Sequence, residues 1–423
     1  MLRSVRVLVT TPLVVGGLVL AGSTVATAGA GSPPGSQPQQ IGRTAGAAGL
    51  PQRLALGAAP AVSNDDATFF GNACASPSSC VAVGFYQIPS EDIAPALVEN
   101  YTGTSWQADE PIPQYGGYAT IADQVSCDTA TTCMLVGEHY TSPAKPSMLA
   151  EFSSGTSWSI LRWNNPRGVR WGVLDAVSCV GSTYCMAVGT ADRAVQQNYS
   201  AQWRGSTALN QISTPNPAHA RWAEIAGVSC LSATDCMAVG DYESAAKRVL
   251  TFAEVWNGKK WRLLPATPNV RHEKESLFND ISCATATRCV AVGFTVGAGS
   301  RAVEHPFAEQ WTGGKWRLTA AVSPSGAALY GVSCPAASYC IAVGADGRAA
   351  LSERWNGSSW RVFRIARTSG THNRDSLDHI SCISTKHCVA VGVRNIPARN
   401  YTNQTLAEVW NGSSWKLQKT ANP

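Results

Sequence analysis

Charge is scarce in this 423-residue chain, where Asp, Glu, Lys and Arg together make up 14% against roughly 25% in an ordinary soluble domain. The 33 basic and 28 acidic side chains leave a formal net charge of +5. That field is too weak to make nucleic acid or an anionic membrane the expected partner. Signatures of chemistry are missing as well. The sequence has no G-x-S-x-G, no P-loop, no H-E-x-x-H and no EF-hand loop, so nothing in it points to hydrolase-elbow, nucleotide, zincin or calcium chemistry. After the N-terminus no apolar run approaches the about 20 residues that span a bilayer, and no membrane anchor is expected. What the chain has instead is 38 Gly, 23 Pro and 14 Trp. This composition disfavours disorder, coiled coil and helical bundle and favours turn-rich β-structure.

The first residues read as an export signal. Arg3 and Arg6 supply a positive start, Val7 to Leu20 is apolar apart from Thr and Gly, and Ala26-Thr27-Ala28 is an A-x-A cleavage site. The apolar run is too short for a membrane anchor, and Ser23 stands where a lipoprotein box needs Cys. Residues 1–28 are therefore expected to be removed and the protein to be secreted, with a flexible Gly/Pro/Ala/Gln-rich leader over 29–65.

All 14 cysteines fall into seven C-x5-C pairs: Cys74/Cys80, Cys127/Cys133, Cys179/Cys185, Cys230/Cys236, Cys283/Cys289, Cys334/Cys340 and Cys382/Cys388. Successive first cysteines lie 53, 52, 51, 53, 51 and 48 residues apart, a period in the range of propeller repeats. Around each pair the same text recurs. Two strands, A and B, bracket the cysteine turn, and B is apolar on both faces with a Val two residues from its start (Val83, Val136, Val188, Val239, Val292, Val343, Val391). Such a strand is covered on both sides. A second hairpin, C and D, turns at a glycine present in every copy (Gly103, Gly155, Gly205, Gly258, Gly313, Gly357, Gly412), as a positive φ requires. A Trp follows in six copies (Trp106, Trp158, Trp261, Trp316, Trp360, Trp415), and a Glu precedes it by seven positions in the same six (Glu99, Glu151, Glu254, Glu309, Glu353, Glu408). Copy three lacks both, so the two are expected to share one structural task.

Four antiparallel strands per repeat and seven repeats predict an all-β, seven-bladed propeller over 66–423. The repeat resembles kelch-type repeats, although a single glycine follows strand B (Gly84, Gly137, Gly189, Gly240, Gly293, Gly344, Gly392) and the cysteine pairs are not part of the kelch pattern. It is also similar to cysteine-bearing propeller repeats of exported actinobacterial proteins, a group that implies a fold and no activity. The S-x-D-x-G-x-x-W turns of sialidase-like propellers are absent.

Cysteines flanking a five-residue turn face each other across neighbouring strands at about 4.5 to 5.5 Å between Cα atoms. In an exported protein they are expected to form seven disulfides, worth roughly 2 to 3 kcal/mol each in the loop-entropy model. Zinc is the competing reading, and it needs ligands that the seven His do not supply in register. No metal and no cofactor is expected. Because sequence repeat and blade coincide, ring closure is expected to rest on packing and loops instead of a swapped strand.

Repeated residues build scaffold, so a site belongs where the sevenfold pattern breaks. The A–B and C–D turns are uniform, while the B–C and D–A connections on the other face vary. The position after the strand-B glycine reads Phe85, Glu138, Thr190, Asp241, Phe294, Ala345, Val393. Glu138, His139 and Asp241 are candidate acid–base groups for a carbohydrate-active hydrolase or lyase. The alternative is that they are solvated loop groups. Arg170-Trp171 and Arg221-Trp222, at matching positions of neighbouring repeats, together with Tyr242 and Arg394, are candidate binding residues, since rings and guanidinium groups suit stacking and bonding to hydroxyl or acidic groups. Packing beneath loops is the alternative there. Charge clusters at Arg271-His272-Glu273-Lys274-Glu275 and His372-Asn373-Arg374-Asp375 read as solvated turns. The expectation is a monomeric, secreted binding or scaffold protein for an unidentified glycan or protein ligand on the variable face. An enzyme acting on carbohydrate and a wall or envelope assembly factor are the alternatives.

Overall fold

A computed structural model describes residues 66–421 apart from 89–92, 110–116, 142–145, 156, 162–168, 194, 266, 269, 271–272, 298–302, 320, 322–324, 348, 364, 366–373 and 397–401. The signal segment 1–28, the leader 29–65 and the loop residues Arg271, His272, His372 and Asn373 lie outside the described residues. Every regular element described is a strand, and they group in fours. Strands A are Ala67–Ser76, Ala119–Cys127, Trp171–Cys179, Trp222–Ser232, Glu273–Thr285, Ala328–Ala336 and Ser376–Ser384. Strands B are Ser79–Tyr86, Thr132–Tyr140, Cys185–Asp192, Asp235–Glu243, Arg288–Gly297, Tyr339–Ala345 and His387–Ile396. Strands C are Ala96–Tyr101, Pro146–Ser154, Gln196–Trp203, Val249–Trp256, Glu304–Trp311, Ala350–Trp355 and Thr402–Trp410. Strands D are Trp106–Ala108, Trp158–Ile160, Asn210–Ile212, Trp261–Leu263, Trp316–Thr319, Trp360–Phe363 and Trp415–Gln418.

Each foursome is an antiparallel A-B-C-D sheet, and a single parallel bridge, Val249 to Glu275, joins blades 4 and 5 into one eight-stranded sheet. Successive strands A pack against one another, and the last packs against the first. The seven blades thus close into a propeller with strand A lining the axis. The strand-B valines are all fully buried, and each contributes on the order of 1.5 to 3 kcal/mol of apolar burial. Among the described residues no strand is exchanged at closure. Blade 7 meets blade 1 through side chains: Asp66 accepts the Asn403 N–H, Glu99 accepts the Ala421 N–H at 2.9 Å, and Asn72 Nδ2 donates to Val389 O at 3.0 Å.

A one-residue bulge interrupts every strand A opposite the strand-B glycine. The bulged residues are Phe70, Asp123, Asp175, Ala226, Asn279, Tyr330 and Asp378. The bulge drives a strand-A carbonyl into the space of a Cβ, which at Gly84 would lie 1.8 Å from Thr68 O and at Gly137 2.0 Å from Ile121 O. Glycine after strand B is therefore a steric requirement of the bulge.

All seven C-x5-C pairs are disulfides, joining strands A and B with Cα separations of 3.9 to 4.1 Å. The hairpins are tighter there than the generic strand spacing predicts. No cysteine among the described residues is free to ligate zinc. The two ends of each bridge also differ in a way that the C-x5-C spacing does not announce. The second cysteines, Cys80, Cys133, Cys185, Cys236, Cys289, Cys340 and Cys388, are sealed from solvent, none more than 2% exposed. They sit on strand B, which strands A and C flank within the sheet and the neighbouring blades cover on both faces. These seven are therefore core residues, and the first cysteine is the more exposed end of each bridge. Of those first cysteines, Cys74, Cys127, Cys179, Cys230, Cys283 and Cys382 are half-buried and Cys334 is buried.

Members of the repeated Glu and Trp columns bond a blade to the one before it, Trp158, Trp261, Trp360 and Trp415 among the indoles and Glu99 and Glu254 among the carboxylates. Trp261 Nε1 donates to Ser200 Oγ at 3.0 Å and Trp415 Nε1 to Ser352 Oγ at 2.9 Å, while Glu254 accepts from Asn198 Nδ2 at 3.2 Å. Blade 3 has Ala201 and Ala208 at these positions and uses another contact, with Trp203 packed at a tilt against Phe152 of blade 2, ring centroids 4.2 Å apart.

Candidate functional site

The first candidate region is the channel mouth on the side of the B–C and D–A connections. Strand B does not end at its glycine but runs one to four residues further, three in blades 2 and 4, so the candidate acids lie in a ladder and not in a loop. Asp241 pairs in register with Glu224 and is 1% exposed. Burial raises its carboxyl well above the usual range, and the carboxylates of Glu224, Asp175 and Glu275 raise it further. Glu138 is half-buried beside Tyr140, whose hydroxyl is raised by burial and by Glu138. His139 is 6% exposed, with Nδ1 3.1 Å from Thr120 Oγ1, and burial lowers its pKa. Glu138 and Asp241 thus lie on strands B of blades 2 and 4, and Asp241 is influenced by the carboxylates of blades 3, 4 and 5.

The Arg-Trp pairs open strand A. The Arg170 and Arg221 N–H groups donate to the carbonyls of Asp192 and Glu243, each at 2.7 Å, which extends the A–B ladder into the connection. The guanidinium groups then pair with the same residues, Arg170 with Asp192 at 2.9 Å and Arg221 with Glu243 at 3.0 Å. Trp171 and Trp222, opposite Asp192 and Glu243 in register, are half-buried. No ring contact joins the two indoles among the described residues. Tyr242 packs edge-on against Phe252 at 6.1 Å. Arg394 is half-buried on strand B of blade 7, opposite Gln404.

The axis itself holds a polar network that is not among the sequence candidates. Gln124 Oε1 accepts the Val177 N–H at 2.7 Å, which turns its amide nitrogen to His379 Nε2 at 3.1 Å. Asn72 Nδ2 donates to Val389 O, which turns Asn72 Oδ1 to His379 Nδ1 at 3.0 Å. These two amide orientations assign the proton of His379 to Nδ1, and the 3.3 Å approach of the Asn72 N–H to that nitrogen is then a plain contact. Burial lowers the imidazole to about 4, so it is neutral. Asp280 lies 4.0 Å from His379 Nε2 and accepts the Val332 N–H at 2.8 Å and its neighbour Ile281 N–H at 2.7 Å. Burial pushes its carboxyl up to about 7.

A second ring lies one layer toward the disulfides. The serines before the first cysteines each accept the N–H of the next blade's cysteine at 2.9 to 3.1 Å: Ser126, Ser178, Ser229, Ser282, Ser333 and Ser381. Blade 1 carries Ala73 there, so the ring is broken at the seam between blades 1 and 2. A cavity of about 180 Å³ borders both rings. With its atoms bonded to one another and to backbone N–H groups, the axial network locks blades together and presents no nucleophile or open acid–base pair. A signal for it exists in the aligned copies, where the third residue before the first cysteine reads Gly71, Gln124, Ala176, Gly227, Asp280, Gly331, His379. Large polar groups occur only after a small neighbour, because a Cβ on Gly71 would lie 2.7 Å from Gln124 Cα and one on Gly331 2.9 Å from His379 Cα.

No protein-family model and no curated protein matches the chain. Among solved structures it is similar to the β-propeller domain of the Trilobed protease from Pyrococcus furiosus, described as having an open velcro topology, at 9% identity and a TM-score of 0.52 over 85% of this chain and 98% of that one. A polysaccharide lyase, the PL25 ulvan lyase, gives 9% identity and a TM-score of 0.50 over 80% and 91%. YCF48 bound to D1 peptide gives 13% and 0.47 over 77% and 89%. The likeness establishes the propeller fold. Seven disulfides suit an oxidising, extracellular environment. Among the described residues no helix is long and apolar enough to cross a membrane.

Proposed function

We propose that this chain is a secreted, monomeric, non-catalytic binding protein with a kelch-like repeat, and that it takes a glycan or protein ligand on its variable face at the rim of blades 3 and 4. One observation carries the reading. Two adjacent blades share the same departure from the repeat, a half-exposed Trp opening strand A beside an exposed Arg held by a strand-B carboxylate. Such a shelf offers apolar ring surface next to oriented guanidinium donors. The carbohydrate-active alternative gains less support, because Asp241 and His139 are sealed from solvent and a general acid or base must reach its substrate.

The test is a screen of the mature chain against a glycan array and cell-wall fractions, repeated with a Trp171→Ala/Trp222→Ala variant. Loss of one stacking ring costs on the order of 1 kcal/mol beyond its apolar area, so the double variant is expected to bind more than tenfold more weakly at unchanged thermal stability. Full affinity in a folded double variant rejects the rim. Turnover of a polysaccharide that vanishes in Glu138→Gln rejects the non-catalytic reading.

A further inference from the structure

Six blades place an aromatic ring on strand C directly opposite the second cysteine of their disulfide: Tyr101, Trp203, Trp256, Trp311, Trp355 and Trp410. In five of these blades that ring lies against the strand-D Trp, at centroid distances of 5.1 to 5.7 Å. Blade 2 breaks the rule. It has Ser153 opposite Cys133, so Trp158 lacks the ring that its own blade would supply. A serine cannot fill the volume of an indole, and a space remains where the ring is missing. A cavity of about 290 Å³ lies between blades 1 and 2, at the seam where Ala73 interrupts the serine ring.

Trp158, Tyr101, Ser153, Asp109, Asn100 and Thr131 are among the residues that line it. The indole is held in place by its Nε1, which donates to Asp109 Oδ2 at 3.1 Å, and the Tyr101 hydroxyl is fixed by donation to Gly103 O at 2.7 Å. Small-molecule pockets run from about 300 to 1,000 Å³, so this one has room for a single ring. The lining decides which kind. Around the Trp158 and Tyr101 rings it is mainly hydroxyl, amide and carboxylate, which an apolar ring would strip of water without replacing the lost hydrogen bonds. A sugar ring replaces them and lays its C–H face on the indole.

We propose that the slot between blades 1 and 2 binds one pyranose ring of a glycan, seated against Trp158 and hydrogen-bonded by Asp109, Asn100 and Thr131. The A–B and C–D turns of both blades border it, so it is separate from the rim at Trp171 and Trp222 and stands whether or not that rim binds anything.

Saturation-transfer difference NMR on the intact mature chain, with the methyl glycosides of glucose, mannose, galactose and N-acetylglucosamine as probes, tests it. At least one glycoside is expected to receive saturation. Ser153→Trp, which installs the ring that the other blades carry, is expected to weaken that glycoside by about tenfold or more while melting at or above the wild-type temperature. Should that variant fail to fold, Thr131→Tyr at the exposed lip carries the same expectation. Trp171→Ala/Trp222→Ala is expected to leave the signal unchanged. No transfer to any of the four glycosides overturns the proposal, as does wild-type affinity in a folded Ser153→Trp or Thr131→Tyr. Binding of N-acetyltryptophanamide in place of the glycosides, abolished by Ser153→Trp, overturns it in favour of a partner's aromatic side chain.

Discussion

Replacing Gly293 by Ala adds one methyl group at the place where strand A of blade 5 bulges. An ideal Cβ there would lie 1.9 Å from Leu277 O, 2.9 Å from the Leu277 carbonyl carbon and 3.0 Å from Phe278 Cα. All three are backbone atoms, so no rotamer change relieves the clash and strand A must move. That strand carries Phe278, which is 1% exposed, and Asp280, which bonds the next blade. Overpacking of this kind costs about 1 to 3 kcal/mol, and the upper end applies because the backbone itself must yield. With an unfolding entropy of about 2.1 cal/mol/K per residue over roughly 350 folded residues, 3 kcal/mol corresponds to a fall in Tm of about 4 °C. Gly314→Ala is the control, since nothing lies within 4 Å of its added Cβ, and its effect is expected within about 0.5 kcal/mol. Scanning calorimetry of the oxidised protein reads both. If Gly293→Ala melts together with Gly314→Ala and the wild type, the bulge is not what demands glycine after strand B.

Burial pushes the Glu254 carboxyl up to about 8 from an ordinary value of 4.5. Between those values the folded chain holds a proton that the unfolded chain has released, so stability is fully present below about pH 4.5 and falls as pH rises toward 8. Glu254→Gln keeps an acceptor for Asn198 and is expected to match the wild type at pH 4.5 but to melt above it at pH 8. Equal shifts at both pH values would contradict the argument. Ala73→Ser is expected to supply an acceptor for the Cys127 N–H and to raise the urea midpoint, corresponding to a gain in stability of about 0.5 to 1.5 kcal/mol. An unchanged or lower midpoint would mean that the serine ring contributes nothing at that seam.

Blade number, strand order and disulfide pairing are legible in the sequence because the cysteine period recurs seven times and fixes the alignment of everything around it. The shared departure of Ala201 and Ala208 in copy three likewise points to the joint work of Glu and Trp between blades. Side-chain environment is harder to read. Asp241 stands just after a glycine, where a loop is expected, yet the A–B ladder continues through Glu243 and seals it. The bulges leave no motif of their own in strand A, where the extra residue is Phe, Asp, Ala, Asn or Tyr, and only the glycine opposite records them. Gln124 and His379 are 255 residues apart and meet only because the ring closes, a contact that no local pattern encodes. The slot at Ser153 follows from a single substitution in a column of aromatic residues, visible once the register of strand C against the second cysteine is known.

Hydrogen–deuterium exchange of the mature chain, with and without the cell-wall fraction or glycan it retains, tests most directly the claim that recognition lies where the sevenfold pattern breaks. Protection is expected in peptides spanning 169–172, 190–193, 220–224 and 241–244, at the blade 3 and 4 rim, or in 100–109 and 153–158 around the slot. The repeated turns at 256–261, 311–316 and 410–415 are expected to exchange as before. Protection spread evenly over those repeated turns, with the rim and slot peptides unchanged, would contradict it.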